Sequence, residues 1–391
     1  MNAMDALTPK LERNQRTALI VGIVSLAVCA VYAGGHREQF FHSYLLAYVF
    51  WIAIPLGAMA ILMLHHLTGG WWGYPIRRLL EAATRTFALM ALLFVPVLLG
   101  MSRLYEWVAH PGELASNPDY KFKALYLTPK FFVARTVIYF AIWLTVAWAL
   151  NKWSSEQDRT GDPRLAERME NISGPGLILW GLAVTYSSVD WVMSLEPRWF
   201  STIYGMIFMV VEALIAMSFV VYVLSKLADQ EPIASAVAPQ QFNDLGNLML
   251  AFVMLWAYLG FSQFLLIWAG NIKDEIPWYM SRAFGGWGAI AAVLIVLHFA
   301  VPFLLLLQRG LKRRLGTLSF VAGFLIVLTL VDVYWMVAPA YEKEPKVFIS
   351  DVFALLGIGG LWIAAFLWQV KKMPLLPLKD PRFEGALQHG D

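Results

Sequence analysis

The sequence contains little cysteine and little charge, and both scarcities restrict what the protein can be. Cys29 is the single cysteine among 391 residues. The chain alone therefore cannot form an intramolecular disulfide, a C-x-x-C-H haem attachment site or an iron–sulfur cluster. Charged residues make up 15% of the chain, compared with roughly 25% in a soluble domain, and a net charge of +3 is too small to predict nucleic-acid binding. Any redox centre would have to be carried by a partner protein.

Apolar residues dominate the rest of the composition and account for 59% of the chain. Ten apolar runs reach the roughly 18–25 residues that are needed to cross about 30 Å of hydrocarbon. The sequence therefore predicts an all-α integral membrane protein with ten transmembrane helices. We expect these spans near residues 17–34, 44–67, 86–108, 131–153, 174–194, 202–226, 245–269, 287–309, 315–337 and 352–370.

The distribution of Lys and Arg predicts the orientation of the spans. An even number of spans puts both termini on one side of the membrane, and most basic residues lie in the segments on that side. The positive-inside rule makes this side cytoplasmic. The first apolar run follows basic residues as a secretory signal does, but its length predicts an uncleaved first span.

Two segments outside the spans carry predictions of their own. Gly69–Arg85 contains two tryptophans and a proline, with three of its charged residues in a helical pattern, which predicts a short helix at the membrane interface. The polar segment after Pro374 is expected to pack on partners or to stay loose. The three charged residues in the helical pattern are Arg77, Arg78 and Glu81.

Spans that are four apart share short patterns in the same order, which predicts an internal repeat. An arginine follows a proline at the start of spans 4 and 8, at Arg135 and Arg282, and a Val-Asp pair occurs late in spans 5 and 9, at Asp190 and Asp332. A shift of four spans preserves direction, so the halves would be parallel repeats related by an axis along the membrane normal. We expect two four-helix bundles, spans 2–5 and spans 6–9, with spans 1 and 10 outside them. The corresponding domains are residues 1–43, 44–194, 195–337 and 338–391.

Acids in the outer third of the membrane are the first functional candidates, because an ionisable group there is costly and functional by default. Arg135 and Arg282 enter from the periplasmic side, so each half is expected to form an Arg–Asp pair. Such a pair has a structural interpretation, in which opposite charges lock two helices, and a functional one, in which the carboxylate carries a proton or faces a quinol. Hydroxyl groups beside the first acid favour the functional interpretation. The residues concerned are Asp190, Asp332, Tyr186, Ser187 and Ser188.

Glu212 lies near the middle of span 6, and nothing in its sequence neighbourhood pairs with it. An unpaired carboxyl group in a membrane is expected to hold a proton at rest, which suits a proton relay; a hydrogen-bonded structural acid is the alternative. His298 on span 8 could continue such a path, although a single histidine is more often a core residue. His65 and His66 at the cytoplasmic end of span 2 could end it. A b-type haem is not expected, since only His298 lies deep in the membrane.

Four features of the sequence indicate a particular protein family more specifically than hydropathy does. They are Arg135, Thr185–Trp199 (TYSSVDWVMSLEPRW), Leu259–Trp268 and Val331–Pro339 (VDVYWMVAP). Together with ten spans and a duplicated core, they resemble the ActF membrane subunits of bacterial alternative complex III, a quinol:cytochrome c oxidoreductase. These subunits belong to the NrfD-like group of polysulfide-reductase membrane subunits. The resemblance covers about residues 20–370, and the stretch around Asp190 is its most specific part.

The resemblance implies a subunit of a respiratory complex in the bacterial inner membrane. The implied partners are a sister NrfD-like subunit, an iron–sulfur protein, haem c subunits, small membrane subunits and a terminal oxidase. Quinol or menaquinol would be oxidised at the periplasmic side in a pocket of the sister subunit, and this chain would bind no cofactor of its own. For this chain the resemblance implies a proton path with Asp190, Glu212, His298 and Asp332 as candidates.

Two other functions are open alternatives. A second quinol site beside Arg135 and Asp190 would bring quinol chemistry to this chain. A stand-alone ion or proton transporter would place its site at matched Gly- or Pro-broken helices near the midplane, and the two halves show no such matched breaks. We therefore expect a subunit of an oxidoreductase complex that is not catalytic alone.

Overall fold

The computed structural model describes residues 3–116, 120–377, 379–380 and 382–383. These residues are almost entirely helical, and no strand occurs among them. Ten segments are long and apolar enough to cross a membrane, which confirms the predicted all-α membrane fold. In chain order, spans 1 to 10 are Leu7–Ala33, Arg37–Thr68, Tyr74–Leu99, Pro129–Thr160, Pro163–Leu195, Tyr204–Leu227, Pro239–Gly270, Gly285–Leu307, Leu315–Ala340 and Ile349–Val370.

Several spans are not single α-helices. Spans 5 and 9 end in 3₁₀ turns at Met193–Leu195 and Ala338–Ala340. Pro302 follows a π-helical turn in span 8, and a proline inside a helix removes one backbone hydrogen bond. Span 3 consists of Tyr74–Thr84, Phe87–Leu93 and Val95–Leu99, and span 8 of Gly285–Val293, the π-helix Leu294–Ala300 and Val301–Leu307.

Short helices form most of the connections. Because ten spans alternate in direction, both ends of the described chain lie on one side, which we call the terminal side; the other is the opposite side. A contact of 3.3 Å between Lys371 and Glu12 agrees with this arrangement. The connecting helices are Met101–Leu104, Glu106–Ala109, Pro111–Ser116, Lys121–Tyr126, Ile233–Ala236, Ile276–Ala283 and Arg309–Lys312.

Spans 2 and 6 form the centre of the molecule. Span 2 is almost completely buried and contacts spans 3, 5, 6 and 10. The backbones of the two central spans touch at Gly57, where a Cβ atom would lie 1.8 Å from the carbonyl oxygen of Glu212. Span 6 also contacts spans 5, 7 and 9, and span 1 packs along span 10. This packing places Glu212 at the crossing of the two most central helices.

The prediction of an interfacial helix within Gly69–Arg85 is wrong. Every residue of Tyr74–Thr84 is buried, and this helix is the first part of span 3. Arg77 and Arg78 bind the carboxylate of Glu81 at 3.0 and 2.6 Å. Because these charges are three and four residues apart on one helix, they neutralise one another and can be buried together.

The expectation that the tail packs on partners or stays loose is wrong for the residues that the structure describes. Asp380 accepts a hydrogen bond of 2.5 Å from Arg77, and both side chains are buried. The ring of Phe383 packs against Trp71 and Tyr74. The tail is therefore folded back onto the chain itself. Its buried apolar residues include Met373, Leu375 and Leu376.

Candidate functional site

The carboxylate of Asp190 is fully buried and receives three hydrogen bonds from side chains of span 4. Arg135 donates from Nε to Oδ2 at 2.8 Å and from Nη2 to Oδ1 at 2.9 Å, which is the forked geometry of a strong guanidinium–carboxylate pair. The Tyr139 hydroxyl donates to Oδ2 at 2.7 Å. The structure thus brings together the pair that was expected in the first half, and adds Tyr139 one turn further along span 4.

The helix Lys121–Tyr126 covers this pair on the opposite side of the membrane. The guanidinium of Arg135 stacks 3.7 Å from the centre of the Tyr126 ring and donates to the Tyr126 carbonyl at 3.1 Å. Burial raises the pKa of the Tyr126 hydroxyl, and the nearby charge of Asp190 raises it further. The pair is therefore shielded from water by an aromatic ring.

Lys123 fixes the same covering helix to the connection after span 5. Its ammonium group donates to the carbonyl oxygens of Pro197 and Trp199, both at 3.1 Å. Burial lowers the pKa of Lys123 from its ordinary value of 10.5 to about 8. This lysine therefore changes charge at a mildly alkaline pH.

The hydroxyl-bearing neighbours of Asp190 do not bind its carboxylate. Ser187 and Ser188 donate to carbonyl oxygens three residues earlier in their own helix, at 3.1 and 2.8 Å. Tyr186 is 49% exposed. Because successive residues of an α-helix point in directions about 100° apart, sequence neighbours of an acid lie on other faces. The side chains that bind Asp190 come instead from the adjacent helix.

The prediction of an Arg–Asp pair in the second half is wrong. Arg282 lies on the short helix before span 8 and donates to Glu196 at 2.7 Å and to the carbonyl of Met336 at 3.1 Å. Glu196 belongs to the connection between spans 5 and 6, so this ion pair links the end of span 5 to the helix before span 8. Arg282 lies before the start of span 8, whereas Asp332 lies within span 9. The two side chains therefore do not meet.

Asp332 has an aromatic partner instead of a cation. The Trp256 indole donates to its Oδ2 at 2.8 Å, and the centre of the His298 ring lies 4.5 Å from the Trp256 ring. The Nε2 atom of His298 lies 3.4 Å from the hydroxyl of Thr329. His298 belongs to the π-helix, a rare conformation that is frequent at functional sites. The four side chains form one buried cluster among spans 7, 8 and 9.

Glu212 is buried without a charged partner at the crossing of spans 2 and 6. Its side chain is 3% exposed, and Oε2 has no hydrogen-bond partner among the described residues. Ser218 lies six residues further along span 6, and its buried hydroxyl also has no partner in the described part of the chain. The path expected from Glu212 to His298 has no direct hydrogen bond or ion pair between these two described residues.

His65 and His66 lie buried at the terminal-side end of span 2, as their sequence position predicted. Within the described residues, Nδ1 of His65 and Nε2 of His66 have no hydrogen-bond partner. A network of charged and polar groups lies beside them. The whole network could not be predicted from the sequence, because its members come from three segments that are distant in sequence. The network comprises Arg77, Arg78, Glu81, Ser154, Gln157, Asp158 and Asp380.

The buried ionisable groups lie at different depths. At 1.5 Å per residue, Asp190 lies about 8 Å, Asp332 and Glu212 about 12 Å, and His298 about 20 Å from the opposite-side ends of their spans. His65 lies about 5 Å from the terminal-side end of span 2. Groups at successive depths suit proton transfer, whereas the forked pair at Asp190 suits a fixed helix contact.

A comparison with protein-family models finds no match, and a comparison with curated proteins finds none either. The described residues establish a ten-span membrane protein with several separate groups of buried polar side chains. A functional proposal therefore rests on these groups and on the resemblance of the sequence motifs.

Proposed function

We propose that this chain is an integral membrane subunit of a respiratory quinol:cytochrome c oxidoreductase of the alternative complex III type. It contributes a transmembrane proton path and a scaffold for subunits that carry haem c and iron–sulfur clusters. The membrane is the bacterial inner membrane, and the positive-inside rule makes the terminal side cytoplasmic. Quinol is oxidised elsewhere in the complex, in a pocket of the sister NrfD-like subunit.

The unpartnered carboxyl group of Glu212 carries the proposal of a proton path. No arginine or lysine of the described chain segments forms an ion pair with it, and an isolated carboxylate in such a place is costly, so a proton is the natural counterpart. A group that is neutralised by a proton instead of a fixed cation can give that proton up when a neighbouring charge changes. Ser218 provides a hydroxyl further along the same helix.

Two other groups provide further members of the proposed path. In the cluster of Asp332, Trp256 and His298, Asp332 lies at about the same depth as Glu212, and His298 lies about 20 Å inside, just past the middle of span 8. His65 and His66 lie near the terminal side beside a network of buried charges. Imidazole nitrogens without fixed partners are suited to accept and donate protons.

We assign Asp190 to anchoring spans 4 and 5 and not to the path. Both of its carboxylate oxygens accept hydrogen bonds from Arg135, and Tyr139 supplies a third. The ring of Tyr126 covers the guanidinium. This saturated geometry does not favour a second quinol site beside the pair, because a quinol hydroxyl would have to compete with three existing donors.

The two-bundle repeat is part of the proposal. Contacts of span 2 with span 5 and of span 6 with span 9 support it, as do the contacts between spans 4 and 5 and between spans 8 and 9. Spans 2 and 6, the first helices of the two bundles, pack against each other at the centre. On the opposite side, the Arg282–Glu196 pair links the connection between the two bundles to the helix before span 8.

Purification in mild detergent tests the assignment to a complex. An affinity-tagged chain isolated from its own cells is expected to bring down haem c, iron–sulfur protein and quinol:cytochrome c reductase activity. A monodisperse chain that lacks these partners and moves ions in liposomes by itself would contradict the proposal. Proton movement per quinol in Glu212→Gln complexes tests the path, and no change in this variant would make Glu212 a structural acid.

A further inference from the structure

A groove of about 440 Å³ lies between spans 6 and 9, away from the buried acids. Its walls come from the last turns of span 6 and the first half of span 9, so it lies near the terminal side of the membrane. We call it the span 6–9 groove. The residues that define it are Tyr222, Lys226, Ser319, Phe320, Gly323 and Val327.

The apolar part of the span 6–9 groove has the length of one membrane leaflet. The lining of span 9 extends from Gly316 to Val327, which is about 16 Å along the helix and about half of a 30 Å hydrocarbon core. Gly323 leaves space at the floor, since even a Cβ atom there would only reach ordinary contact with Tyr222 at 3.5 Å. The ring of Phe320 is 69% exposed beside it. An extended hydrocarbon chain matches this shape.

The terminal-side end of the groove carries a cation and hydroxyl groups. The ammonium of Lys226 lies 4.8 Å above the ring of Tyr222 and forms no ion pair within the described residues. The Ser225 hydroxyl donates to the carbonyl of Tyr222 at 2.7 Å, and the hydroxyl of Ser319 lies 2.7 Å from that of Ser225, so Ser319 is the donor to Ser225. Arg314, which is also exposed, directly precedes span 9. These groups lie where phospholipid head groups meet a membrane protein.

We propose that the span 6–9 groove binds one anionic phospholipid. Its phosphate contacts Lys226, and one acyl chain lies along Gly323 toward Val327. Basic residues at a membrane surface attract anionic lipids, and grooves between helices that end in such residues select their head groups. Because Lys226 has no carboxylate partner among the residues that the structure describes, the anionic head group supplies the missing charge.

Lipid retention by the purified complex tests this proposal. The complex is stripped with detergent, placed in nanodiscs of mixed phosphatidylglycerol and phosphatidylcholine, washed and analysed by mass spectrometry. The natural sequence is expected to retain phosphatidylglycerol selectively. The Lys226→Gln variant should lower this preference by about fivefold, the factor that corresponds to one cation at the surface. The Gly323→Leu variant should lose the bound lipid because its side chain fills the groove.

Lys152 provides a matched control on another span. Its ammonium also lies over an aromatic ring, 4.7 Å from the centre of Trp148, but it does not line the groove. Lys152→Gln should leave the preference unchanged, and Lys226→Arg should preserve it. Unchanged retention in both Lys226→Gln and Gly323→Leu would overturn the proposal. So would an equal loss in Lys152→Gln, or photocrosslinks from position 320 that reach a partner protein and not lipid.

Discussion

At the scale of single residues, the acids inside the membrane differ in how their charge is balanced. Asp190 has a forked arginine and a tyrosine hydroxyl, whereas Glu212 has no ion-pair partner in the part of the chain that the structure describes. Asp332 is intermediate, since its hydrogen-bond donor is the neutral indole of Trp256. Removal of the charge should therefore affect stability most at Asp190 and proton movement most at Glu212.

The first prediction concerns the Asp190 anchor. Asp190→Asn leaves the guanidinium of Arg135 largely unpaired in a buried site, so we expect a loss of about 3 kcal/mol in unfolding free energy. Tyr139→Phe removes a single hydrogen bond and should cost about 1 kcal/mol. Chemical unfolding in detergent micelles measures both. The double variant Arg135→Met with Asp190→Asn should regain most of the loss, and an Asp190→Asn protein as stable as the natural sequence would refute the anchoring role.

The second prediction concerns Lys123, which lies outside the spans. Its pKa is about 8 in the folded protein and 10.5 in its ordinary state, so between these values the unfolded chain binds more protons than the folded one. Unfolding free energy should therefore rise with pH across this window through the contribution of Lys123. Unfolding measured from pH 7 to 11 should show a smaller rise in Lys123→Met. Equal slopes in the two proteins would show that Lys123 is not buried as described.

At the scale of helices, close backbone contact between spans 2 and 6 sets the position of Glu212. A glycine at the crossing lets the two helices approach, as small residues commonly do between membrane helices. Span 8 departs from regular α-helical geometry in a different way, through a π-helix that includes His298. These local departures from regular packing occur beside both of the acids that we place on the proton path.

The third prediction tests this crossing. A Cβ atom at Gly57 would overlap the backbone of span 6, so Gly57→Ala should reduce unfolding free energy by about 3 kcal/mol. Gly181→Ala is the matched control, because a Cβ atom there would meet only the end of Met209 at 3.6 Å. Thermal unfolding in micelles compares the two. Equal melting temperatures would mean that the central helices are further apart than described.

Hydropathy predicted the number of spans and their approximate positions, because spanning a bilayer is a constraint on length and composition. It failed at Tyr74–Thr84, where charged residues are buried by pairing with each other and with the tail. Arg135 and Asp190 could be paired from the repeat. Tyr139 and Trp256 could not, because the face that a helix turns toward its neighbour is set by packing and not by local sequence.

At the scale of the whole molecule, contacts distant in sequence hold peripheral and central spans together. On the opposite side, the Arg282–Glu196 pair links the connection after span 5 to the helix before span 8. On the terminal side, the tail that follows span 10 reaches back to span 3 through Asp380 and Arg77. The same tail covers the region beside His65 and His66.

The fourth prediction tests the role of this tail. Asp380→Asn removes a charged partner of the buried Arg77 and should cost about 2 kcal/mol of unfolding free energy, with Glu81 still present as a second partner. It should also make the tail more sensitive to proteases. Lys379→Ala is the control, because this exposed lysine donates only to a carbonyl oxygen. Equal protease resistance of the Asp380→Asn and natural proteins would rule out a latched tail.

Proton movement per quinol in the assembled complex tests the central proposal most directly. Complexes with Glu212→Gln and with the exposed control Glu167→Gln are reconstituted in liposomes, and protons are counted during quinol oxidation. The proposal predicts that Glu212→Gln lowers the number of protons moved per quinol while the protein stays folded and Glu167→Gln behaves like the natural sequence. A Glu212→Gln complex with an unchanged number of protons per quinol would contradict it.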